Sequence, residues 1–107
     1  MPESSPNEEF ISEPLTPLRG SGEAAGAARG EPALPAAFTW RGQTYTVENI
    51  LRKWKTSAPE GGRSGAERYL RRHWWTLRTT DGATLTIYCL RQARQGQNRW
   101  WLYTVQR

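Results

Sequence analysis

Residues 68–91 read RYLRRHWWTLRTTDGATLTIYCLR, and the turn at their centre decides the fold. The stretches on either side of Thr80-Asp81-Gly82 are rich in Trp, Tyr, Thr, Leu and Ile, the composition of half-buried strands. A two-residue Asp81-Gly82 loop sets Trp74, Thr76 and Arg78 on the same face as Leu85, Ile87 and Cys89. A three-residue loop with Gly82 in the left-handed conformation instead sets Trp75 with Ile87 and Leu77 with Leu85. A one-residue slip exchanges the faces of a strand, so register follows the pattern that gathers apolar side chains together. That is the three-residue loop. It places His73, Trp75, Leu77, Leu85, Ile87 and Cys89 inside, and Arg72, Trp74, Thr76, Arg78, Thr84, Thr86 and Tyr88 outside.

Working outward, Arg99 to Gln106 reads as a further strand. Its two faces are nearly balanced, Trp100, Leu102 and Thr104 against Trp101, Tyr103 and Val105. Trp100 and Leu102 are favoured inward, which leaves Trp101 and Tyr103 outward. Upstream, Phe38-Thr39-Trp40 and Tyr45-Thr46-Val47 alternate about Arg41-Gly42-Gln43, a tight hairpin. Between them and residue 68 the reading is mixed. Ile50 and Trp54 are four apart, which allows one helical turn, whereas a strand through Val47, Asn49, Leu51 and Lys53 puts Lys53 inside. Residues 57–66, SAPEGGRSGA, read as a loop. The expected fold is all-β: a small, bent antiparallel sheet or partly open barrel of about five strands, with at most a short helical turn near 48–55.

The chain of 107 residues carries a formal charge of +5, but the charge is unevenly divided. Residues 1–37 hold two Arg against six Glu, whereas residues 38–107 hold thirteen basic residues against four acidic ones. Eleven of the twelve aromatics also lie after residue 37. An acidic leader over 1–19, whose residues 9–15 can form an edge strand, therefore precedes a basic, Trp-rich β domain over 38–107. Between them, GSGEAAGAARGEPALPAA at 20–37 offers little apolar surface against its ordering entropy and reads as a flexible linker.

Composition excludes several classes of function. One cysteine, Cys89, rules out an intramolecular disulfide and fits a reducing compartment. With one His, His73, the chain cannot build a closed Cys/His zinc site, so no metal or cofactor is expected. Any His-dependent catalysis would rest on His73 alone, and the Gly-rich stretches do not link a strand to a helix as a phosphate cradle requires. No enzyme activity and no small-molecule substrate are expected. The N-terminus is acidic where a secretory signal is basic, and no apolar run approaches membrane-span length. A soluble, cytoplasmic protein is expected.

What remains is a binding face. Arg interleaved with aromatics on one face of a sheet suits single-stranded nucleic acid, because bases stack on rings while Arg neutralises phosphate. The candidate residues are Arg72, Trp74, Arg78, Tyr88, Trp101 and Tyr103, with Arg68, Arg71, Arg91, Arg94 and Arg99 at the rim. Arg52-Lys53 with Lys55 is a second basic cluster. The bland reading of the face is a solvated surface whose Arg stems cover the rings. The alternative function is a protein-interaction module in which the same rings and guanidinium groups form a hot spot.

The motifs also resemble a known family. Glu9-Phe10-Ile11, Phe38-Thr39-Trp40-Arg41-Gly42 through Val47, Arg68-Tyr69-Leu70-Arg71, His73-Trp74-Trp75 and Arg99-Trp100-Trp101-Leu102-Tyr103 resemble an uncharacterised family of small bacterial proteins, a domain of unknown function. The pattern is also similar to the C-terminal tail of ImuB-like proteins, catalytically inactive relatives of translesion DNA polymerases. The resemblance implies a β fold and a DNA repair or damage-tolerance setting, with single-stranded DNA or RNA or a repair protein as partner. It assigns no site residue.

Overall fold

The computed structural model describes residues 8–26, 32–60, 68–90 and 99–107. Among these there are nine strands and no helix: β1 (Glu8–Pro14), β2 (Thr16–Pro17), β3 (Glu23–Ala25), β4 (Leu34–Pro35), β5 (Ala37–Trp40), β6 (Gln43–Glu60), β7 (Arg68–Thr79), β8 (Thr84–Leu90) and β9 (Trp100–Gln106). Seven form one antiparallel sheet in the order β1-β9-β8-β7-β6-β5-β2, curled into an open half-barrel.

The central hairpin has the predicted register. Trp75 pairs with Ile87 and Leu77 with Leu85, and Gly82 takes φ of 88°. The Asp81 carboxylate fastens this turn, accepting from the Thr79 hydroxyl and from the Ala83 N–H at 3.3 Å. The β5–β6 hairpin turns through Arg41 (φ 50°) and Gly42 (φ 76°), both left-handed, as a two-residue loop matched to strand twist requires.

Two segments depart from strict alternation. Residues 48–55 are strand throughout, so the helical-turn alternative does not form. β6 instead carries two bulges, with Glu48 and Leu51 as the extra residues against β7. Each bulge exchanges the faces of the residues after it, which is why no single period fits this stretch. Lys53 does pair with Trp75 on the inner face, yet it is exposed, because β5 pairs with β6 only as far as Thr46. In β9, Thr86 pairs with Thr104 and Ile87 with Leu102, so Tyr103 is the extra residue. Trp100 and Leu102 point inward as expected, but the bulge returns Val105 to the core, where alternation would have put Thr104.

The two ends of the sheet order are consecutive in the chain, separated by Leu15 alone. Leu15 is buried and donates its N–H to the Trp100 carbonyl at 2.9 Å; Leu18 donates to Ala37 at 2.9 Å. The acidic leader thus supplies both margins of the half-barrel. Glu13 adds a clamp across them, accepting from Trp40 Nε1 at 2.8 Å and from Arg41 Nε and Nη2 at 3.0 and 2.6 Å. Within 20–37, the stretch expected as a linker, β3 pairs with β4 and Leu34 is fully buried.

The core lies on the concave face. Leu15, Leu34, Phe38, Leu77, Leu85, Ile87, Leu102 and Val105 pack there with Trp40, Trp75 and Trp100. Trp75 and Trp100 lie 5.3 Å apart between centroids, and Phe38 sits 5.4 Å from Trp100. Cys89 is buried among them, and burial pushes its thiol pKa up, as befits an unreactive core residue.

Candidate functional site

The convex face carries the other three Trp. The strand registers place Trp54 opposite Trp74, Trp74 opposite Tyr88, and Tyr88 opposite Trp101, one aromatic ring from each of β6, β7, β8 and β9. The result is a row of four rings running straight across the sheet. Trp54 and Trp74 are stacked at 5.6 Å and 7°, and Tyr88 and Trp101 at 6.2 Å and 7°. Trp74 links the pairs, lying 4.8 Å from Tyr88 and edge-on to Tyr103 at 5.1 Å. Its Nε1 donates to Thr56 Oγ1 at 2.9 Å, which fixes the indole plane. Tyr103 leaves the row because it is the bulged residue of β9; Phe10 of β1 meets it edge-on at 5.0 Å.

Guanidinium groups sit on this row. Arg52 lies 4.4 Å from the centre of Trp54, and Arg72 lies 4.8 Å from that of Tyr88. Arg72 Nε is buried and has no hydrogen-bond partner in the structure, a donor left over on a partly exposed cation. Beside the rings runs a second row, Arg52, Thr76, Thr86, Thr104 and Phe10. Beyond it lies a third, Asn49, Arg78, Thr84, Gln106 and Glu8. β7, β8 and β9 contain no Asp or Glu, so Glu8 at the β1 margin is the acid of these rows.

Of the expected site residues, Arg72, Trp74, Tyr88, Trp101 and Tyr103 come together on this face. Arg78 is exposed and stands four residues along β7 from Trp74, about 13 Å at ~3.3 Å per residue. Arg99 lies at the rim, its Nε donating to the Leu90 carbonyl at 3.3 Å. Arg91 and Arg94 fall outside the described residues. Tyr88 differs from an open stacking ring. It is only 8% exposed, enclosed by Trp74, Trp101 and Arg72, and this burial raises its phenol pKa. The open rings are Tyr103, 37% exposed, and Phe10, 64% exposed.

Sequence reading missed Trp54, Arg52 and Phe10 as members of the face. Trp54 and Arg52 lie beyond the two β6 bulges, so their face could not be counted from the hairpin. Phe10 is brought in by pairing between the two ends of the chain. His73 is buried on the concave face, its ring 6.3 Å from Trp75. Among the described residues no group of three His, Cys, Asp or Glu side chains is placed to hold a metal ion. Among the described residues no helix is long and apolar enough to cross a membrane.

No curated protein and no solved structure matches the chain. With its curled sheet, leader clamp and aromatic row in place, the chain is matched over residues 1–107 by one family model, and it belongs to that family, a domain of unknown function (DUF6504).

Proposed function

We propose that the convex face is a non-enzymatic binding surface for single-stranded nucleic acid, DNA in preference. The observation that carries this reading is the four-ring row of Trp54, Trp74, Tyr88 and Trp101, with Arg52 and Arg72 upon it and no acid in β7, β8 or β9. Trp54, Trp74 and Trp101 are half-buried and keep part of their surface open to a ligand, while the enclosed Tyr88 ties them into one platform. Bases pack on such platforms at about 1–3 kcal/mol each, with little sequence preference. Arg52, Arg72, Arg78 and Arg99 would meet the phosphates. The damage-tolerance setting that the ImuB-like resemblance implies would present such a single strand, and it is part of the same proposal.

One observation favours a second reading. Much of the ring surface is spent on other rings and on guanidinium groups, which is how a protein-interface hot spot is built. Salt separates the two. If four phosphates are neutralised on a single strand, affinity falls about fiftyfold between roughly 50 and 200 mM salt, whereas an aromatic protein interface loses little. Titration with single-stranded and duplex oligonucleotides, followed by Trp fluorescence at both salts, tests the proposal. Quenching with micromolar affinity and that salt slope is the expected result. No signal at the lower salt overturns it.

A further inference from the structure

β6 is paired on one side only over most of its length. β5 accompanies it from Gln43 to Thr46, and the Val47 N–H donates to the Ala36 carbonyl at 2.8 Å, while β7 follows it to Glu60. From Glu48 to Ser57, no strand among the described residues pairs with the other margin. Past the Leu51 bulge, from Arg52 to Ser57, this margin carries backbone donors and acceptors in alternation, a template for another strand. Its side chains combine an exposed apolar pair with the cations common on edge strands. Ile50 and Leu51 are 38% and 49% exposed, and Arg52, Lys53 and Lys55 follow them, all exposed. A cleft of about 350 Å³ opens beside them, lined by Ile50, Leu51, Ala25, Pro32 and Trp75 and, at its charged side, by Arg52 and Lys53.

We propose that this margin of β6 takes an extended acidic peptide by strand addition, with one apolar side chain of the peptide seated in the cleft beside Ile50 and Leu51. Three physical points select the occupant. A DNA backbone offers phosphate acceptors and no donors, and the 2′-hydroxyls of RNA do not follow the spacing of a peptide strand, so neither continues a ladder that alternates both. A second copy of the chain would bring Arg52, Lys53 and Lys55 near their own counterparts, and like charges facing each other across strands are destabilising. An acidic segment turns that repulsion into attraction. The cations that keep copies apart therefore choose the partner, while main-chain hydrogen bonds supply affinity and the cleft supplies specificity. This site is separate from the aromatic row, although Arg52 touches both.

The test uses the full chain and a capped, fluorescein-labelled peptide of about nine alternating Glu and Val residues, followed by anisotropy. Micromolar binding is expected, weakened at least tenfold by Lys53→Glu with Lys55→Glu, both exposed positions whose fold is checked by circular dichroism. Two further peptides, N-methylated on alternate amides in opposite registers, make the test independent of any variant. Strand addition predicts that one register loses binding at least tenfold and the other retains it, because a single row of amides faces β6. Absence of binding at about 50 mM salt overturns the proposal. So does equal binding by both methylated peptides, which is charge attraction alone, or a chain that sediments as a dimer and excludes the peptide.

Discussion

Trp74 and Trp75 are neighbours in the chain and lie on opposite faces of one sheet, as do Trp100 and Trp101. Trp75 and Trp100 are buried against each other on the concave face, beneath the leader and the β5–β6 hairpin. Trp74 and Trp101 are half-buried and pack on other rings of the same face. Tryptophan content alone therefore says nothing about a site. The inner rings are consumed by folding, since a domain this small has little other core. The outer rings gain about 0.5–1.5 kcal/mol per aromatic pair and keep surface for a partner.

The contrast can be broken first by truncation. Trp75→Ala should cost about 3–5 kcal/mol and leave little folded protein, measured by urea unfolding. Trp74→Ala should leave a folded domain, destabilised by about 1–2 kcal/mol through lost ring contacts, and should weaken oligonucleotide binding about tenfold or more. If the two variants unfold alike, the outer row is a second core and not a binding surface. Next in size is the β9 bulge. Val105→Thr buries a hydroxyl and should cost about 1–3 kcal/mol, whereas Thr104→Val, on the outer face, should stay within about 0.5 kcal/mol. Equal effects would mean that the faces are not exchanged at Tyr103.

How much of this contrast was legible from residues depends on where the alternation holds. The β7–β8 register was readable because Asp81-Gly82 marks the turn and only one loop length collects Trp75, Leu77, Leu85 and Ile87 on one face. Val105 was not, because an extra residue at Tyr103 leaves no local signature. The same holds for Glu48 and Leu51, and with them the placement of Trp54 in the row. The closing role of the leader was illegible for another reason. Its partners, Trp100 and Ala37, are distant in the chain, and its apolar content is small. Of the site, the interleaved Arg and rings of β7 to β9 were readable; that the rings would stack on one another depended on exact pairing.

A smaller effect sharpens the account of the leader. The Arg41 guanidinium, and after it the Trp40 indole, holds the Glu13 carboxyl below its ordinary value of 4.5. A lowered carboxylate stabilises the fold above the unfolded value, and that contribution is lost as pH falls through the folded one. The wild-type chain should therefore lose stability on acidification below pH 4.5 more steeply than Glu13→Gln, followed by thermal melts. Parallel curves would mean that the clamp does not help to close the half-barrel. The smallest effect is expected from Arg78→Ala, which should lower the salt slope of binding by about 0.7 with no change in stability.

The most direct measurement is a binding titration of the Trp74→Ala, Trp101→Ala double variant beside the wild-type chain, with single-stranded DNA at about 50 mM salt and with both proteins shown to be folded by circular dichroism. The account predicts micromolar binding by the wild type and at least a tenfold loss in the variant, since about 1–3 kcal/mol rides on each stacked base. Equal affinity of the two folded proteins, or no binding by the wild type, would contradict it.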